Sequence, residues 1–456
     1  MSLDNLPVGW LNVKISDVTL KGEQRKPSDS EKFIYVDIGS INRDLKKIEN
    51  PQFLLGKDAP SRARKVIKKG DVLVSLTRPN LNAVALIGDN YDQQIASTGF
   101  EVISPLQVES KYLFNLVRTQ DFINEISKQE QGALYPAAKS SDVQAYEFPL
   151  PPLAEQQEIV RQLDIMLAQV EQIKARLDAI PAILKKFRQS VLADAVSGKL
   201  TAADVSNWTE VTINDLVNIV NGKSFPSSDY SAQGIKLLRP GNLHVSGKVK
   251  WTDKNTIYLP EDWKEKRPEL LLKEGSLLMN LTAQSLADEF LGRVCILETA
   301  DEDILLNQRI SSFESKLNYD VKPYLFYVLR SPQFRSYVDT LDTGTLIKHL
   351  NIKDIKTYKL KLPPISEQMQ IVTLLKSFMQ SASRTEELVL LAKKRVNLLT
   401  QSILAKAFSS ELTAEWREQH QELITGVNSA ENLLAKIQAE REANKPVKKT
   451  RAEKEV

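Results

Sequence analysis

From Ile159 the apolar positions fall at Leu163, Met166, Val170, Ile173, Leu177, Ile180, Leu184, Phe187 and Val191, separated alternately by four and three residues. That spacing is the seam of a coiled coil held for more than four heptads. Gln162, Asp164, Gln169, Glu171, Lys174, Arg176, Lys185, Lys186 and Arg188 lie between as a solvated face. Pro152 and Glu155 suit a helix start, because proline tolerates the first turn and a carboxylate favours the N-terminal dipole. Pro181 predicts a kink rather than a break, since the heptad phase survives across it. A second run, Ile371, Leu375, Phe378, Ala382, Thr385, Val389, Ala392, Val396, Leu399 and Ile403, keeps the same frame with smaller knobs. Paired antiparallel, the two helices would set Leu177 against Thr385 and Ile180 against Ala382, large facing small.

The two helices belong to a longer repeat. Tyr112-Leu113-Phe114 recurs as Tyr324-Leu325-Phe326, an offset of 324 − 112 = 212. The same offset carries Leu150-Pro151-Pro152 onto Leu362-Pro363-Pro364, Glu155-Gln156 onto Glu367-Gln368, Gln189-Ser190 onto Gln401-Ser402 and Leu200-Thr201 onto Leu412-Thr413. Upstream the register drifts. Trp10 matches Trp208 at an offset of 198, and Gly70–Thr77 resembles Gly275–Thr282 at 205. The drift predicts loop insertions in the earlier part of each half, and so two modules that share a scaffold and differ where they meet a partner.

Outside the helices, residues 6–150 and 206–362 read as short strands with some helix. Phe33–Ile38 and Asp71–Leu76 are β-rich runs behind polar or glycine punctuation, and Lys111–Ile126 and Lys322–Val338 read as amphipathic helices. Between them lie basic, polar loops: Lys21–Lys32, Ser61–Lys69, Thr77–Asn80, Arg239–Asn242, Thr282–Ser285 and Leu346–His349. Arginine, asparagine and glutamine in loops make bidentate bonds to base edges, and lysines neutralise phosphates.

Composition narrows the chemistry. Net charge is only +3, from 61 Lys and Arg against 58 Asp and Glu. A protein that held a duplex alone through many phosphates would be more basic, so any duplex is expected to be held by local patches or shared with other chains. A single cysteine, Cys295, with His244, His349 and His420, argues against disulfides and structural zinc, and the early Asp4 argues against a signal peptide. Gly222-Lys223-Ser224 has the end of a phosphate-binding loop, but Val217 stands where its first glycine belongs. No dinucleotide or S-adenosylmethionine fingerprint, no Asn-Pro-Pro-aromatic segment and no credible triad is present, and the Glu109–Lys111 and Glu314–Lys316 segments lack the Pro-Asp of nucleases. The chain is expected to be non-catalytic on its own.

Two copies of Pro-Pro-x-x-Glu-Gln opening a long helix, each closing with Gln-Ser-(Val/Ile)-Leu-x-x-Ala and then Leu-Thr, strongly resemble the specificity subunits of type I restriction–modification systems. Here these are Pro151–Gln156 with Gln189–Thr201, and Pro363–Gln368 with Gln401–Thr413. The tail from Leu423 to Arg441 resembles the type IA branch, with Asn428 and Glu431 as a capping box for its last helix and Lys445–Lys454 as a disordered basic end. The resemblance implies an α+β fold: two mixed target-recognition domains in tandem repeat, joined by two long helices packed as an antiparallel coiled coil. Its segments would be 1–150 and 206–362 for recognition, 151–205 and 363–415 for the conserved helices, and 416–456 for the last helix and tail. Each recognition domain would read half of a bipartite, asymmetric DNA site. A rod of about 33 residues, roughly 50 Å long, would hold two readers about one turn of B-DNA apart, roughly 34 Å. Two methyltransferase subunits and restriction subunits would dock on the conserved regions, bringing S-adenosylmethionine, ATP and Mg2+, in a cytoplasmic bacterial complex. Expected DNA contacts are Arg62, Arg64, Arg78, Asn80 and Lys139 in the first domain and Arg239, Asn242, Gln284, Lys348 and His349 in the second. These come from loop chemistry, as no family motif fixes them. Expected docking residues are Pro152, Glu155, Gln156, Gln189, Ser190, Pro364, Glu367, Gln368, Gln401 and Ser402. The rival class is a self-sufficient DNA nuclease or methyltransferase.

Overall fold

A computed structural model describes residues 6–128, 137–202, 204–284, 289–299, 302–341 and 348–443. The segments of the recognition loops at Ser285 and Leu346-Ile347, and the basic tail Lys445–Lys454, lie outside these. The chain forms two compact units, Met1–Leu177 with Leu391–Val456, and Asp178–Leu390. The division cuts through both conserved helical segments, so each unit owns part of each long helix.

Each unit is built on a central strand whose successive side chains serve different cores. Val72–Ser75 is buried along its whole length. Val72 and Val74 enter the core that faces the helices, whereas Leu73 enters a second core beneath the other sheet. The counterpart, Leu277–Asn280, divides in the same way, with Leu277 and Met279 on one side and Leu278 on the other. The period of two in a strand makes this split, and burial on both faces is why these runs carry no polar alternation. In the first unit the central strand pairs antiparallel with Phe100–Pro105 and Val84–Leu86. In the second, Leu277–Asn280 pairs with Ile310–Ser315 and Val294–Ile296. Behind each sheet runs one parallel pair, Lys32–Val36 with Gln94–Ser97 and Ile235–Leu238 with Ile304–Leu306. The ends of each module close identically: Leu11 faces Leu150 and Thr209 faces Leu362 in two antiparallel ribbons.

Two expectations about helices need correction. Lys111–Ile126 is not one helix but two, Ser110–Leu116 and Gln120–Ser127. Thr119 between them is extended and its Oγ1 accepts from Phe122 N at 3.3 Å, which starts the second helix anew. Ser331 does the same for Phe334 at 3.3 Å, dividing Lys322–Val328 from Pro332–Thr340. The last helix, Ala430–Ala443, is capped one residue later than expected, with Ser429 Oγ rather than Asn428 accepting from Asn432 N at 3.4 Å.

The first long helix is Leu153–Val196 and the second Ile365–Phe408, 44 residues each. In the first unit Ile159, Leu163 and Val170 pack with Ile403, Leu404, Ala407 and Phe408. In the second, Val191, Leu192 and Ala195 pack with Ile371 and Leu375. The segments run antiparallel: Thr201 meets Glu367, while further along Phe187 meets Phe378 edge to face at 6.0 Å. Setting Ile180 against Ala382 would have put Phe187 on Leu375, so the observed register differs by less than one helical turn. The heptad seam is buried unevenly: Val170, Ala382 and Val389 are buried. Met166, Ile173 and Phe187 stay 37–43% exposed, because two helices alone shield one side of each other.

The first long helix passes through Pro181 without interruption, at the cost of one backbone bond. Pro181→Ala should therefore stabilise the helix against local opening by up to ~3 kcal/mol, seen as slower amide exchange around residues 178–186. Unchanged exchange would show that the helix has already relaxed around the ring.

Candidate nucleic-acid interface

The repeated Pro-Pro-x-x-Glu-Gln signature holds each module to its helix. Glu155 and Gln156 are 0% exposed. One Glu155 oxygen accepts the Trp10 indole N–H at 2.7 Å, and the other accepts Thr413 Oγ1 at 2.7 Å and Arg417 Nε at 2.9 Å. Glu367 accepts Trp208 Nε1 at 3.0 Å and Thr201 Oγ1 at 2.9 Å. Gln156 and Gln368 both turn back to donate to the carbonyls of Pro151 and Pro363, at 2.8 Å each. The carbonyls of Pro152 and Pro364 accept from Glu155 N and Glu367 N. Six of the ten residues expected to dock partners are thus engaged inside the fold. Pro152, Glu155, Gln156 and Gln368 are buried, Glu367 is half-buried, and Gln401 bonds Gln120 N and the Arg118 carbonyl. Only Gln189, Ser190, Ser402 and Pro364 are exposed. A first-turn glutamate facing a tryptophan and a threonine is a clasp that holds each module to its helix.

At the far side of each central strand, backbone bonds lace several loops into one edge. In the first unit, Thr98 N donates to the Arg62 carbonyl at 2.9 Å, Leu76 N to the Gly99 carbonyl at 2.8 Å, and Ala138 N to the Leu76 carbonyl at 2.8 Å, while Thr77 bridges Ala137. Exposed Arg62, Arg78, Asn80 and Lys139 are brought together here. Arg78 is held in the left-handed region at φ 49°, with Pro79 starting a short turn behind it. In the second unit, Leu281 N donates to the Arg309 carbonyl and Leu350 N to the Leu281 carbonyl, both at 2.9 Å. Thr282 pairs with His349 and Ala283 with Lys348, which collects Gln284, Lys348 and His349. The two edges are the same construction carrying different side chains.

Three expected contacts are used elsewhere. Asn242 is 0% exposed: its Oδ1 accepts Arg239 N at 2.8 Å and its Nδ2 donates to the Asn255 carbonyl at 3.3 Å, so its amide closes a loop and has no face for a base. Arg64 is half-buried and donates to the neighbouring Ala63 carbonyl at 2.7 Å. Arg239 is half-buried over the Tyr230 ring at 5.9 Å. Of the basic run Ser61–Lys69, Lys65 pairs with Glu101, Lys68 with Glu23 and Lys69 with Asp89. Arg62 alone extends from that run without a side-chain partner among the described residues. Exposed Gln308 and Arg309 join the second edge and were missed. They correspond to Thr98 and Gly99 at an offset of 210, a register visible only once the strands are paired.

Lys46 anchors the end of the short turn Pro79–Leu81 that follows Arg78. Its Nζ donates to the Asn82 carbonyl at 2.6 Å, and Asn82 donates to the Val117 carbonyl at 2.8 Å. Burial pushes the Lys46 amine down to about 8, helped by the Arg118 guanidinium and further by Lys174 and Arg43, with Asp44 opposing.

Both units thus repeat one α+β module, with a polar edge of differing side chains and a glutamate clasp to a long helix, and this is the architecture of a two-module specificity protein. The sequence profile of the type I restriction modification DNA specificity domain matches residues 7–182 and again 205–391, and the chain belongs to that family. It is 32% identical to the type I restriction enzyme EcoKI specificity subunit of Escherichia coli K12, over 97% of this chain and 98% of that protein. It is 29% identical to the StySPI specificity subunit of Salmonella potsdam, over 97% of each. Among solved structures, the HsdS subunit from Thermoanaerobacter tengcongensis superposes with a TM-score of 0.63 at 27% identity, covering 90% of this chain and 99% of that one. A chain from a study of complex assembly in the type I R-M system reaches 0.72, also at 27%, covering 89% of this chain and 99% of that one.

Two stability measurements check this geometry. Glu155→Ala should cost about 3–5 kcal/mol, because it leaves the largely buried Arg417 charge unpaired, whereas Glu367→Ala, which strands only neutral donors, should cost about 1–3 kcal/mol. Equal losses in chemical unfolding would contradict the distinction. Lys46 holds its proton less tightly folded than unfolded, so the unfolded chain binds more protons between about pH 8 and the ordinary lysine value of 10.5. Stability from this site accordingly rises with pH across that window. The melting temperature of the native chain should gain on that of Lys46→Met from pH 7 to 10, and a constant gap would refute the assignment.

Proposed function

We propose that the chain is the DNA-reading subunit of a type I restriction–modification complex, with each unit reading one half of a bipartite, asymmetric target through its laced edge. The supporting observation is that matched backbone bonds build both edges while the side chains differ: Arg78, Asn80 and Lys139 in one, Gln284, Arg309 and His349 in the other. One scaffold with two sets of donors suits two different half-sites. Arginine offers its fork to guanine, and asparagine or glutamine its amide to adenine.

The chain positions the reaction and does not perform it. Methyltransferase subunits would supply S-adenosylmethionine chemistry, and restriction subunits would supply ATP- and Mg2+-dependent work. With the clasp residues turned inward, docking falls to the outward faces of the long helices. Exposed Ile165, Leu391 and Leu398 on the first unit, and Ile183, Leu388 and Leu390 on the second, are unusual for a free surface. A partner's grip on the duplex also accounts for a net charge of only +3.

Substituting Arg78 and Asn80 with alanine should alter one half of the methylated sequence and leave the other intact, as mapped by methylated adenines in cells carrying the whole system. Changes in both halves would overturn modular reading. Methylation or cleavage by the purified chain alone would overturn the division of labour.

A further inference from the structure

The second edge holds a cation where the first edge has Arg62, delivered from an unrelated stretch of chain. In the first unit the Arg62 carbonyl accepts from Thr98 N, and the next residue, Gly99, accepts from Leu76 N. In the second, the Lys223 carbonyl accepts from Gln308 N at 2.8 Å, and the next residue, Arg309, accepts from Leu281 N. The residues just before match as well: Ser97 Oγ accepts from Gly99 N at 3.1 Å, and Asn307 Oδ1 from Arg309 N at 3.2 Å. Arg62 and Lys223 therefore occupy one position in two copies of the fold. Yet Arg62 precedes the strand Ala63–Ile67, whereas Lys223 follows the strand Val217–Asn221, and no sequence offset relates them.

Gly222 makes this placement of Lys223 feasible. Its N–H donates to the Ile310 carbonyl at 3.1 Å, and a Cβ there would lie 2.0 Å from the Asn307 oxygen. Only glycine lets the segment lie flat on the strand. The Gly222-Lys223-Ser224 triplet is thus no fragment of a nucleotide loop. Its glycine permits close backbone approach, and its lysine emerges into solvent. Both Lys223 and Arg62 are exposed, and neither side chain has a partner among the described residues.

We propose that Arg62 and Lys223 are a matched pair of phosphate anchors, one per unit, gripping the sugar–phosphate backbone of the duplex without reading its sequence. The inference rests on the DNA-reading function above. Around this position the two edges differ, Thr98 against Gln308 and Gly99 against Arg309. Two half-sites differ in their bases and share their backbone, so the feature common to both edges answers the feature common to both half-sites. Arginine and lysine share a long cationic reach but not the planar fork that base recognition uses. A point charge suffices for a phosphate.

The test uses the specificity subunit assembled with its methyltransferase partners, on a duplex carrying the target mapped from methylated DNA. Lys223→Ala should weaken binding several-fold at 50 mM salt. The deficit should shrink by about threefold as salt rises to 200 mM, because one phosphate contact contributes about 0.9 to the salt slope. The methylated sequence should not change, Lys223→Arg should restore affinity, and Arg62→Ala should behave alike. Unchanged affinity and slope overturn the proposal, as does a salt-independent loss or relaxed sequence at one position, which would make Lys223 structural or a base reader. If the native complex itself ignores the target, the DNA-reading function fails, and this inference with it.

Discussion

A buried carboxylate at the start of each long helix holds the architecture together. Glu155 and Glu367 each accept a tryptophan N–H from the beginning of their module and a threonine hydroxyl from beyond the end of the other long helix. At Glu155 those three points are far apart in sequence, whereas at Glu367 the tryptophan and the threonine come from one short stretch; in both, a carboxylate with two oxygens ties them at one place. Its desolvation is offset by donors aimed at it and, at Glu155, by Arg417, which also covers the Trp10 ring at 5.3 Å. Once the clasp is closed, the ribbon, the central strand and the laced edge of each module take up fixed positions with respect to their own helix segment.

How much of this was legible follows from where the repeat keeps one register. Across the 212 offset, side chains have fixed partners, so the helices, the clasp residues and the Tyr112 and Tyr324 hydroxyl bonds to the Pro149 and Lys361 carbonyls all pair off. The clasp was visible as a motif but its inward direction was not, because a glutamate–glutamine pair on a helix gives no sign of which way it faces. Only the tryptophans, remote in sequence, reveal that. Polar helix breaks were missed for a similar reason. Thr119 and Ser331 sit within an apolar periodicity that continues past them, and the local hydroxyl bond that stops the helix does not alter that periodicity.

The edges were less legible. Arg78, Asn80, Lys139, Gln284 and His349 were recognisable as loop donors, and the structure gathers them. Asn242 has the same chemistry but spends it on its own loop, a distinction that rests on the Lys250 and Asn255 carbonyls rather than on composition. Arg309 and Gln308 were hidden because they sit in the turn just before the strand Ile310–Ser315, whose composition differs from that of Phe100–Pro105, at an offset of 210 that falls between 205 and 212. Residues that meet through backbone bonds leave little trace in side-chain pattern.

The division of the chain also bears on its synthesis. The second unit is a single continuous stretch, Asp178–Leu390, whereas the first needs chain from both sides of it. Its core includes Leu433 and Ile437 from the last helix, and its clasp waits for Thr413 and Arg417. On a ribosome, the half that is translated first is therefore the half that finishes folding last. Until Thr413 and Arg417 have been made, Trp10 and Glu155 lack two of their companions, and a nascent chain cut short before residue 413 would carry a complete reader at its trailing end and an unfinished one at its leading end.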